Sequence, residues 1–135
     1  MAKSNLSSRS LILMATGLLL FSGCDPETGR VSGRVTFEGK PIGKGEILTY
    51  PQNLPEGVPM KNSAGRIVDG EYTLSTYDKG DGAQPAMHKV VMTNYEDTTG
   101  GPQIPSIFGS PVSTPLTIEI KSGVNRIDIE IADHL

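Results

Sequence analysis

From residue 30 onward, apolar positions recur at every second residue. In Val31-Ser32-Gly33-Arg34-Val35-Thr36-Phe37-Glu38, Val31, Val35 and Phe37 share one face while Ser32, Arg34, Thr36 and Glu38 share the other. That alternation predicts a half-buried strand. Gly39-Lys40-Pro41 reads as a turn, and Gly45 to Tyr50 as a second strand ended by Pro51. Asp69-Gly70 is a hairpin signal, because both residues tolerate positive φ. It separates strands over 65–68 and 71–76, with Tyr72 and Leu74 inward. Met87 to Thr93 puts His88, Val90 and Met92 on one face, and Leu116–Ile120 and Asn125–Ile131 alternate around a Ser122-Gly123 turn. The stretches 51–63, 77–86 and 94–115 are rich in Pro and Gly, lack periodicity and read as loops. No window after residue 23 has a helical period.

The pattern predicts an all-β fold, a seven-stranded, two-sheet antiparallel β-sandwich over residues 30–132. The expected core is Val31, Val35, Phe37, Ile47, Tyr72, Leu74, Val90, Met92, Leu116, Ile118, Ile127, Ile129 and Ile131. Loops 51–63, 77–86 and 94–115 are the expected contact surfaces, because sandwich loops gather at the two ends.

The N-terminus follows a different pattern. Residues 11–21, LILMATGLLLF, are apolar without a break, preceded by Lys3 and Arg9 and followed by Ser22 and Gly23. A basic lead, an apolar run and small residues describe a secretory signal peptide. The run is well short of the roughly 20 residues a spanning helix needs. The chain therefore divides into a signal peptide over 1–23, a tether over 24–29 and a domain over 30–132. Phe21-Ser22-Gly23-Cys24 resembles the bacterial lipobox, with Phe where that motif prefers Leu. The resemblance implies cleavage before Cys24 and acylation of its thiol with palmitate-type chains. The protein would then be exported and anchored to a bacterial membrane, facing the periplasm or the cell exterior. Two or three acyl chains, at about 0.8 kcal/mol per buried CH₂, hold far better than one.

Charge narrows the partners. Lys and Arg number 12 against 15 Asp and Glu, a net of −3. Removing residues 1–23 takes away only Lys3 and Arg9, leaving 10 − 15 = −5. A domain this acidic lacks the basic footprint of nucleic-acid binding. It would also be repelled weakly by anionic lipid, so membrane attachment falls to acyl chains on Cys24. The same Cys24 is the chain's one cysteine, which excludes an internal disulfide.

Candidate chemistry is sparse. The histidines are His88 and His134, and no His-x-His or His-Glu-x-x-His spacing is present. His88, on an inward strand face, reads as a hydrogen-bonded core residue. Asp78-Lys79-Gly80-Asp81-Gly82 is the best calcium candidate, but it lacks the alternating ligands and closing Glu of an EF-hand and reads as a solvated turn. Asp128 and Glu130 read as an outward pair that protects a strand edge. No metal or cofactor is expected. The sequence points to a non-catalytic envelope module with a binding or structural role, whose partner is an envelope protein or glycan. The alternative is a small envelope hydrolase centred on His88.

The stretches Val31 to Ile42, Asp69 to Leu74, Pro105 to Phe108 and Thr114 to Ile120, with the strand from Asn125, resemble the carboxypeptidase-regulatory-like, or transthyretin-like, β-sandwich domains. The nearest type is the short lipoproteins of planctomycete bacteria. The resemblance implies a Greek-key, prealbumin-like sandwich at the cell envelope and no particular reaction. Ala86-Met87-His88 stands where that family has Gly-Lys-Tyr, so His88 would fill the packing slot of its Tyr.

Overall fold

The computed structural model describes residues 28–95 and 101–132. The signal peptide, Cys24, most of the tether and His134 lie outside them. The described residues form nine strands and one 3-10 turn: β1 (Gly29–Phe37), β2 (Lys40–Pro41), β3 (Lys44–Gln52), β4 (Ser63–Val68), β5 (Glu71–Thr73), β6 (Ala86–Asn94), the turn Ser106–Gly109, β7 (Thr117–Ile120), β8 (Gly123–Arg126) and β9 (Ile129–Ile131). The fold is all-β, with strand order β2-β1-β5-β4-β3-β6-β7 and with β8 and β9 on β1.

The sheet curls until its ends meet. β7 lies at one end of the order and β8 pairs with β1 at the other, yet only Lys121 and Ser122 separate β7 from β8. So short a link spans roughly 11 Å at most. Asn125 fastens this closure: its Nδ2 donates to the carbonyls of Lys121 (2.7 Å) and Arg30 (3.2 Å), and its Oδ1 accepts from the Lys121 amide (3.0 Å). The apolar face turned inside the curl is the core.

Asp69 (φ 51°) and Gly70 (φ 77°) form the hairpin between β4 and β5, as the sequence predicts. Three details differ from the sequence expectation. The first turn sits one residue earlier, at Glu38 (φ 48°) and Gly39 (φ 78°), and Lys40–Pro41 folds back as β2 on Thr36 and Phe37. Pro51 does not end β3. It pairs with His88 beyond the last β3–β4 pair, Thr49 with Ser63, where no neighbour needs the N–H it lacks. The alternating run 125–131 splits into β8 and β9, and both run parallel to β1, so the sheet is antiparallel except at this seam.

The expected core is largely found inside. Phe37, Leu116 and Ile127 are partly buried, and the other ten are buried. The alternation missed Ile42, Ile67, Ala83, Ile120 and Phe108. Phe108 arrives from the 3-10 turn in the third loop, where no period announces it.

Candidate functional site

The loops do not gather at one place. β6 pairs Met87 with Gln52 at one end and Asn94 with Gly45 at the other. The loops over 53–62 and 74–85 therefore lie at the first end, and the third loop leaves from the second. Thr28, the first described residue, joins the first end, because Gly29 pairs with Ala83 through both backbone hydrogen bonds.

Gln84 organises this end. Its side-chain amide donates to the Pro59 carbonyl (3.1 Å), and its Oε1 accepts from the Lys61 amide (3.2 Å). The proline-rich loop is thus stitched to the 74–85 loop by one side chain. Between them lies a cleft of about 410 Å³, bounded by Thr28, Leu54, Val58, Tyr77, Gln84 and Pro85. Lys61 Nζ stands 5.9 Å from the centre of the Tyr77 ring, within reach of a cation–π attraction.

His88 supports Gln84 from below. It is fully buried, and its Nε2 lies 2.7 Å from the Gln84 carbonyl. A carbonyl only accepts, so Nε2 carries the proton and Nδ1 is bare. Nδ1 has no hydrogen-bond partner, and neither does Thr49 Oγ1, buried on the neighbouring strand. Burial pushes the imidazole below its ordinary value, against the Gln84 carbonyl, which would raise it. The ring is therefore neutral at pH 7. Catalysis by His88 would need an opening to a cleft and an orienting carboxylate. The ring is fully buried, and its Nε2 is engaged by the Gln84 carbonyl. Its geometry is that of a core residue that holds a loop.

Asp81, the calcium candidate, is already engaged. Oδ1 accepts from the Thr76 amide (2.7 Å), and Oδ2 accepts from those of Tyr77 (2.9 Å) and Asp78 (3.0 Å). Burial alone would raise its carboxyl. The amides of Asp78, Thr76 and Tyr77 outweigh that and hold it below the ordinary value. Asp81 thus staples the turn from within, while Asp78 and Lys79 stay exposed to solvent, as a solvated turn requires. Among the described residues, no group of three or more His, Cys, Asp or Glu is placed to hold a metal.

The outward pair Asp128 and Glu130 divides. Asp128 Oδ1 accepts from the backbone amide of Arg34 (2.9 Å) and stands in for a missing ladder carbonyl, whereas Glu130 is exposed on β9. The described part of the third loop is anchored. Thr114 Oγ1 donates to the Val90 carbonyl (2.6 Å), Lys89 Nζ donates to that of Pro111 (3.0 Å), and Phe108 is buried. A second, broader groove of about 890 Å³ crosses β4 and β5, open and lined by charged side chains such as Glu46, Arg66, Glu71 and Lys79.

Sequence reasoning missed Gln84. A lone Gln in a polar loop has no signal, and only the fold shows that its amide reaches Pro59 and Lys61 of another loop.

No family model and no curated protein matches the chain. Among solved structures it is similar to part of a 9R-lipoxygenase from Cyanothece PCC8801, with 14% identity, 78% of this chain covered and a TM-score of 0.35. The match spans only 16% of that lipoxygenase chain, and a likeness of this size carries no functional argument.

Proposed function

We propose that this chain is an exported, lipid-anchored envelope module with a binding or structural role and no catalytic centre, its curled sheet a Greek-key sandwich of the carboxypeptidase-regulatory-like type. The observation that carries the reading is the place of the one cysteine. Cys24 directly follows the small residues Ser22 and Gly23 and stands four positions before Thr28, where the described fold begins at its surface. The sealed, neutral His88 supports a non-catalytic domain, since it is the one histidine among the described residues. The loops around Gln84 are the binding surface.

Intact-mass spectrometry of the protein from a membrane fraction tests the anchor. The expected mass begins at Cys24 and carries two or three acyl chains. Cys24→Ser should lose both the lipid and the membrane association. A cleaved chain without lipid, free in solution, would overturn the anchored reading.

A further inference from the structure

The chain outside the described fold ends at the cleft wall. Thr28 lines the cleft, and Cys24 lies four residues upstream. Four extended residues reach about 14 Å at most. An acylated Cys24 therefore holds this end of the domain near the lipid, while the far end of β6 stands about 26 Å away, eight residue steps along the strand.

The surface at this end suits that place. Val58 is 41% exposed, Tyr77 55% and Met60 60%, and Leu54, Pro55 and Pro59 continue the apolar lining. Scattered exposed apolar residues need no explanation, but a cluster at a fixed point does. Tyr77 carries an apolar ring with a polar tip, the kind of side chain that settles at a membrane–water interface. Lys61, which lines the same cleft, keeps its ammonium over that ring, and a lysine so placed can extend its charged head to the headgroups. The hydrogen bonds from Gln84 fix the loop before any contact is made, which lowers the cost of ordering it on binding.

We propose that the surface formed by Leu54, Val58, Met60 and Tyr77 rests in the headgroup layer of the bilayer to which Cys24 is tethered. This rests on the anchored reading above. The domain from Cys24 onward carries a net charge of 10 − 15 = −5, so the contact is apolar and needs no anionic lipid.

The test uses the full chain, processed in a bacterial host and reconstituted into phosphatidylcholine vesicles. Acylation blocks the Cys24 thiol, so an environment-sensitive thiol dye labels only an introduced cysteine. Met60→Cys and Val68→Cys are compared, since Val68 is similarly exposed (53%) at the far end of β4. The Met60 label should emit to the blue, and spin-labelled lipid should quench it several-fold more than the Val68 label. Added anionic lipid or salt should not change that ratio. Equal quenching of the two labels, on an acylated and vesicle-bound chain, would overturn the docking alone. Shielding of Met60 that rises with the protein-to-lipid ratio would assign the surface to a second copy and overturn it as well. A chain whose Cys24 takes the dye and which stays out of the vesicles would overturn the anchor, and the docking with it.

Discussion

β3 and β1 are each nine residues long, and they are held in different ways. β3 keeps two antiparallel partners, β4 and β6, and pairs with β6 without interruption from Gly45 to Gln52. β1 meets β5 and β2 on antiparallel registers, then β8 and β9 on parallel ones. Between β8 and β9 its ladder fails, and side chains take over. The Arg34 amide turns to the Asp128 carboxylate, and the Ile127 carbonyl turns in to accept from the Tyr72 hydroxyl (2.7 Å). The β3–β6 ladder is regular and rests on buried apolar side chains. The β1 seam closes the curl and rests on a few polar substitutions for backbone bonds.

The largest expected effect is in the ladder. Ile47 is fully buried between Gly65 and Met92. Ile47→Ala should cost about 3 kcal/mol by chemical denaturation, as other core truncations do. A loss under about 1 kcal/mol would show that the ladder does not carry the core. The seam should break at its closest approach. A Cβ on Gly33 would stand 1.8 Å from the Ile127 carbonyl oxygen, and backbone cannot yield as a side-chain tip can. Gly33→Ala should cost about 1–3 kcal/mol and should speed amide exchange in β8 and β9 before it does so in β3. Uniform loss of protection would mean that the seam does not open separately. Tyr72→Phe keeps the buried ring paired opposite Gly33 but strands the Ile127 carbonyl, at about 1–2 kcal/mol.

The same contrast decides what was legible in the sequence. Strict alternation marked His88, Val90 and Met92 as one inward face, and Asp69-Gly70 gave the hairpin its turn chemistry. Both are properties of residues close in the chain. The seam joins residues more than ninety positions apart, such as Arg34 with Asp128, so no local pattern reports it. Asn125–Ile131 alternates as an unbroken strand would, and it is the closure of the curl that splits it. Gln84 and Phe108 act through tertiary contacts from aperiodic loops and were hidden for the same reason.

pH separates the two regions by sign. His88 belongs to the ladder, and burial lowers its pKa from an ordinary 6.5. Below that value the unfolded chain takes up a proton that the folded ring refuses, so stability falls as pH drops from 6.5 through the lower folded value. Asp81, also lowered, extends the acid loss below its ordinary 3.8. Tyr72 belongs to the seam. Burial first, then the Asp128 charge, raise its phenol above the ordinary 10, and Arg126 opposes them. Here the unfolded chain loses its proton first, so stability falls as pH rises above 10. Denaturation midpoints across pH should show both limbs. His88→Gln should flatten the decline that begins near pH 6.5, and Tyr72→Phe should flatten only the alkaline one. If either substitution altered both limbs, the two regions would not titrate independently.

The smallest effect makes the finest distinction. Asp128 and Glu130 have the same charge and lie two residues apart on the same surface. Both would be near-neutral to remove if exposed charge were all they supplied. The ion pair from Arg126 to Asp128 (3.5 Å) adds little, with both side chains 61% exposed. The Arg34 amide is different, because β1 turns that donor to the seam and the Asp128 carboxylate is what accepts it. Asp128→Ala should therefore cost about 1 kcal/mol, and Glu130→Ala less than about 0.5 kcal/mol. Asp128→Asn keeps an acceptor oxygen and should recover most of the difference, which the charge alone would not allow. Equal losses for Asp128→Ala and Glu130→Ala would mean that the seam is closed by its β8 and β9 backbone pairs alone.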